Sequence, residues 1–181
     1  MRQIDPIATP PPRDDRTLSN WQMGWVLSFA ALMGAFALAW QTSPEVLVSR
    51  FSTTAANAFM TRDAFFGFAL GITILLNVTY LPFGTRRFVR AFLQHLWSGP
   101  DKEYWFRPEN FDGFVERIAR TIAQGGVFTN ATIGLVYGVV LAFNHGLVGT
   151  SAVNVMVVFV VLASFMSMIP LLRAFQPPSR I

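Results

Sequence analysis

At 181 residues, with 52% apolar and 13% charged side chains, the chain carries about half the charge of an ordinary soluble domain and cannot cover a core with a water-compatible surface. It holds no cysteine, which excludes disulfides, thiolate metal sites and iron–sulfur ligation. A net charge of +4, with basic residues set beside apolar runs, argues against a nucleic-acid binder and points to anionic lipid headgroups as counter-charge.

Residues 1–20 hold four prolines, including Pro10-Pro11-Pro12, and charges of both signs. Proline fixes φ and removes a donor, so an extended arm without its own core is expected. Residues 21–40 are uncharged and long enough, at 1.5 Å per residue, to cross about 30 Å of hydrocarbon. Trp21, Trp25 and Trp40 lie near the ends, where indoles favour headgroup depth. Reading this run as a secretion signal is set aside, because the polar region before it is too long and the apolar run exceeds a signal core.

Residues 41–63 are polar and form an extracytoplasmic loop. Ser43-Pro44-Glu45 resembles a helix start, and Leu47, Phe51, Ala55, Ala58 and Phe59 follow at helical spacing, which predicts an amphipathic helix on the membrane surface. A second uncharged span is expected over 64–83, ended by Pro82 and Gly84.

The segment 84–122 carries seven of the fourteen Lys and Arg residues. Arg86, Arg87, Arg90, Trp97, Trp105, Arg117 and Arg120 are the expected headgroup contacts, on interfacial helices with apolar stripes at Phe88, Phe92 and Leu96 and at Phe111, Phe114, Ile118 and Ile122. Residues 121–172 are 52 consecutive positions without a formal charge, about 78 Å as one helix, so the run must fold back. The polar break Asn144-His145-Gly146 through Ser151 divides the second hairpin, 123–172, into spans over 125–143 and 152–171, before a tail at 173–181.

The fold expected is an all-α integral membrane protein of four spans in two hairpins, with interfacial helices in the first and second loops. With both termini cytoplasmic, twelve basic residues face the cytoplasm and two, Arg50 and Arg62, face outward, a split that satisfies the positive-inside rule. Gly67 with Gly71, and Gly134 with Gly138, are small residues four apart, suited to close helix packing within the chain or between subunits. Asn77, Asn130, Thr132, Asn144 and Asn154 are polar groups in or near the spans that either hydrogen-bond between helices or line a solute path.

No span contains Asp, Glu, Lys or Arg, which disfavours ion-coupled transport by this chain alone. His95 and His145 fall at opposite membrane faces, so they cannot hold a haem together; His145 alone is the weak candidate for a cofactor ligand. Hydrolase, zinc-protease and phosphate-loop signatures are missing, so no catalytic residue and no cofactor are predicted. The leading expectation is a non-catalytic accessory subunit of a bacterial inner-membrane complex, with lipids and other membrane subunits or further copies of itself as partners. The alternatives are a homo-oligomeric channel or solute carrier, and a membrane subunit holding a pigment, haem or quinone.

Overall fold

The computed structural model describes residues 20–51, 56–96, 98, 99 and 101–176; the arm up to residue 19, Trp97 and residues 177–181 lie outside the described residues. In chain order the elements are α1 (Asn20–Thr42), strands β1 (Val46–Phe51) and β2 (Ala56–Thr61), α2 (Arg62–Tyr80) and a 3-10 turn at Pro82–Gly84. There follow α3 (Arg86–Leu96), α4 (Lys102–Trp105), α5 (Pro108–Asn144) and α6 (Thr150–Ala174). By length and composition, α1, α2 and α5 are each able to cross a membrane, and α6 contributes a shorter apolar stretch at Thr150–Met166.

The first loop departs from expectation: it is an antiparallel hairpin and not an amphipathic helix, so the fold is mostly helical but not all-α. The apolar residues of this loop follow period two better than period 3.6. Val46 is exposed and Leu47 fully buried, Phe59 is exposed and Met60 packs inward, and Leu47 lies opposite Met60 across the ladder. The Ser43 hydroxyl, expected to start a helix, instead donates to the Ala39 carbonyl at 2.7 Å and helps close α1. The Glu45 carbonyl accepts from the Arg62 amide at 2.8 Å, which shuts the base of the hairpin. α2 then starts at once, with the Thr61 hydroxyl accepting from the Ala64 amide at 3.3 Å and Asp63 in the first turn, where the positive end of the helix dipole favours an acid.

α5 is the hub, in contact with α1, α2, α3, α4 and α6, whereas α6 has α5 as its one extensive neighbour. Its 37 residues extend about 56 Å and join the predicted loop stripe and the predicted third span into one helix without a break near residue 122. Pro108 sits in the first turn, where a missing amide costs nothing. Beyond it the buried positions Phe114, Val115, Ile118, Ala119, Ala123, Gly126 and Asn130 keep one helical phase across the expected boundary. The far end closes as the expected break required: Gly146 has φ +69°, and the amides of Gly146 and Leu147 bond back to Phe143 and Ala142 at 2.9 and 2.8 Å.

Two apolar cores lie at opposite ends of α5. Near the hairpin, Leu32, Phe36, Leu47, Phe65, Phe66, Ala69 and Val140 cluster, with Phe36 and Phe65 edge-on to Tyr137 at 5.3 and 5.5 Å between centroids. At the basic end, Val89 and Leu93 of α3, Trp105 of α4, Phe114, Val115, Ile118 and Ala119 of α5 and Ala174 of α6 form the second.

Candidate functional site

Between the two cores, α1, α2 and α5 meet through polar side chains that close a circuit. The Trp25 indole N–H donates to Asn77 Oδ1 at 2.7 Å, and Asn77 Nδ2 donates to Asn130 Oδ1 at 2.8 Å and to the Thr73 carbonyl at 2.9 Å. Asn130 Nδ2 donates to Ser28 Oγ at 3.0 Å, and that hydroxyl donates to the Trp25 carbonyl at 2.8 Å. Each of these groups would be orphaned in hydrocarbon, and each finds its partner on another helix or one turn away.

Two glycines make room for Trp25. A Cβ at Gly126 would come within 3.0 Å of three atoms of the indole, and one at Gly84 would lie 2.7 Å from Cζ3. With those side chains absent, the ring sinks against the backbone of α5 and of the turn after α2, and only 3% of the residue is exposed. Trp25 was expected to mark headgroup depth, and the roles of Gly84 and Gly126 were not foreseen. The paired glycines at 125 and 126 were the available signal, but a glycine pair does not say which ring it receives.

Gly126 also forms part of the floor of an apolar groove of about 500 Å³ beside the circuit. Its walls are Tyr80 from the end of α2, Phe83 from the 3-10 turn after it, Ile122 and Phe128 from α5, and Pro170 from α6. The groove exists because α6 leans on α5 without reaching α2 extensively, which leaves a channel along α5 between them. Gln124 and Thr129 bring polar groups to it, while the Thr121 hydroxyl is spent on the Arg117 carbonyl at 2.9 Å. A volume of this size matches a small-molecule or lipid-tail site.

The expected headgroup residues are largely engaged within the protein. Arg86 and Arg120 share Glu116, the latter at 3.5 Å, and Arg90 pairs with Asp112 at 2.6 Å. Arg117 donates to the Arg173 and Gln176 carbonyls at 2.9 and 3.3 Å, so a cation sits at the negative end of the α6 dipole. Trp105 is 4% exposed, stacked on Phe114 at 4.5 Å, and its N–H donates to the Phe175 carbonyl at 2.9 Å; it fastens α4 to the end of α6 from within a core. Arg87 is exposed.

The remaining expected positions separate. Asn144 grips the exposed edge of β1: its Oδ1 accepts from the Val48 amide at 2.6 Å and its Nδ2 donates to the Val48 and Val140 carbonyls at 3.2 and 2.8 Å. Asn154 is exposed in the second turn of α6, and Thr132 is half-buried on α5, so the five polar residues do not converge on one path. A Cβ at Gly134 would meet Leu32 at 3.5 Å, an intramolecular contact, whereas Cβ atoms at Gly67, Gly71 and Gly138 would meet nothing within 4 Å. His145 is exposed where α5 ends, at the opposite end of that helix from α3 and His95. Among the described residues there is no group of three or more His, Asp or Glu placed to hold a metal ion.

Comparison with known proteins adds no relative: no family model, curated protein or solved structure matches the chain.

Proposed function

We propose that this chain is a non-catalytic, multi-pass subunit of a larger bacterial inner-membrane assembly, with α1, α2, the apolar part of α5 and α6 as four spans and both termini on the cytoplasmic side. The fourth span rests on the apolar character of α6, whose exposed residues include Val155, Val158, Phe159, Leu162, Phe165 and Met166. The orientation rests on the basic residues of α3 to α5 gathered at one end of the bundle.

The observation that carries the subunit reading is the outer face of α2. Gly67 and Gly71 lie one turn apart, and among the described residues no other element comes within 4 Å of their Cβ positions, so this face is smooth down to the backbone. Small residues on an outward face allow another helix to approach closely, where dispersion and not the hydrophobic effect holds helices together. The interior supplies the complementary argument. Trp25, Ser28, Asn77 and Asn130 satisfy one another, so the polar groups between α1, α2 and α5 act as fasteners. The same pairing engages Asn77 and Asn130, two of the amides the channel reading would place along a solute path.

The test is extraction from native membranes in a mild detergent. The expected result is a particle of fixed stoichiometry containing this chain and at least one other membrane protein, dissociated by Gly67→Leu combined with Gly71→Leu. Migration of the unaltered chain on its own, or a particle that the two substitutions leave intact, refutes the reading.

A further inference from the structure

We infer that the groove between α2, α5 and α6 holds one acyl chain of an anionic phospholipid, with the lipid phosphate bound between Arg120 and Arg173. The inference rests on the membrane reading but not on the subunit reading, since it needs only this end of the bundle to lie at headgroup depth.

The walls and the charge are in register. Arg120 precedes Gln124 by one helical turn on α5, and Arg173 follows Pro170 by one turn on α6; Gln124 and Pro170 both line the groove. The two arginines therefore lie one turn beyond groove-lining positions, one on α5 and one on α6, toward the same basic end. Arg173 is exposed, and the Arg120 side chain is 52% exposed. Glu116 does not neutralise this end, because it is shared by Arg86 and Arg120, two cations on one acid. An anion is the complement this arrangement lacks.

The groove fits the other half of the ligand. From Thr121 to Thr129 it follows α5 for about 12 Å, enough for the upper part of an acyl chain, and its walls are aromatic and aliphatic. Pro170 contributes an apolar pyrrolidine ring to that wall at a depth where a tail would lie. A neutral isoprenoid tail would use the walls but not the two arginines. A partner helix could use the glycine floor at Gly125 but would leave the two arginines without an anion.

Native mass spectrometry of the full chain, purified in mild detergent and supplied in parallel with phosphatidylglycerol, phosphatidylcholine or an isoprenoid quinone, tests this directly. The expected result is one phosphatidylglycerol retained per chain, at least tenfold in preference to phosphatidylcholine, and not displaced by the quinone. Gly125→Leu, at a position where a Cβ meets nothing, fills the groove and is expected to abolish retention with helicity and elution unchanged. Arg120→Gln with Arg173→Gln, which leaves the groove intact, is expected to reduce phosphatidylglycerol to the level of phosphatidylcholine. Equal retention of the two phospholipids by the unaltered chain, displacement by the quinone, or undiminished retention in either variant overturns the inference. Loss of a protein partner leaves it standing, and a chain that remains monomeric without any amphiphile removes the membrane reading beneath it.

Discussion

Adding one methyl group at residue 126 and one at residue 125 should shift stability in opposite directions. At Gly126 a Cβ would come within 3.0 Å of Trp25 Cε2, Cδ2 and Nε1, which belong to a rigid ring wedged against Gly84 on its other side. The ring must move, and overpacking of this kind costs about 1–3 kcal/mol. Displacement also breaks the 2.7 Å bond from Trp25 to Asn77. Interhelical bonds of this type average about 0.6 kcal/mol in membranes, and the helical glycine-to-alanine gain of about 0.5–1 kcal/mol offsets part of the loss, so Gly126→Ala should lose about 1–3 kcal/mol in all, a factor of roughly 5–160 in the folding equilibrium. At Gly125 the added Cβ meets nothing, and replacing a helical glycine by alanine gains about 0.5–1 kcal/mol. Reversible unfolding by titrating a denaturing detergent into mild-detergent micelles, followed by ellipticity, measures both variants. Equal shifts, or a loss at 125 and none at 126, would refute the wedge. Repeating Gly126→Ala in a Trp25→Leu background isolates the cause, since the penalty should largely vanish once the ring is gone.

Three further outcomes follow from the same contacts. Asn77→Leu and Asn130→Leu should each cost about 1–2 kcal/mol by orphaning the other amide, while the double variant costs less than their sum; a double-mutant cycle in the same assay reads the difference. Asn144→Ala releases both backbone groups of Val48, so amide exchange at Val48 should accelerate by about tenfold, while exchange at Thr73, buried at 0% exposure, stays unchanged. Trp105→Ala removes a stacked, hydrogen-bonded indole from the basic-end core and should cost about 3–5 kcal/mol, seen as new protease cleavage around α4 before any change in the apolar helices.

The long apolar stretches were legible in the sequence because the absence of charge is a strong one-dimensional signal. Gly146 was equally plain as a helix end, since few other residues accept its positive φ. The first loop was misread because Leu47, Phe51, Ala55 and Phe59 satisfy a helical period by accident. What decides for strands is the β-branched Val46 and Val48 flanking Leu47, together with a docking site for the hairpin on Asn144, 96 residues away from Val48. No local pattern reports a partner at that distance. Trp25 and Trp105 show the same limit: both were expected at headgroup depth because indoles favour it, and no local pattern reports that both are buried where a glycine or an aromatic ring contributed by another element receives them. The groove was invisible for a related reason, since it is bounded by residues from α2, α5 and α6 and defined by where α6 fails to pack.

In a bundle whose helices are apolar nearly all round, hydrophobicity decides that α1 and α2 belong in a membrane but cannot decide how they turn about their axes. That choice falls to the few polar residues. Rotating α1 by one residue, about 100°, would carry Trp25 off Gly126 and Ser28 off Asn130, leaving the Trp25 N–H, the Asn77 Oδ1 and the Asn130 Nδ2 without these partners while exchanging one apolar face for another of similar composition. On α6 the hydroxyl of Ser164 turns back to the Val160 carbonyl of its own helix at 2.7 Å. Its rotation is fixed chiefly at its end, by Trp105 and Arg117 bonding to the carbonyls of Phe175, Arg173 and Gln176. The basic-end module therefore acts as the clamp for α6, and the width of the groove beside Pro170 depends on that clamp more than on contacts along the groove itself.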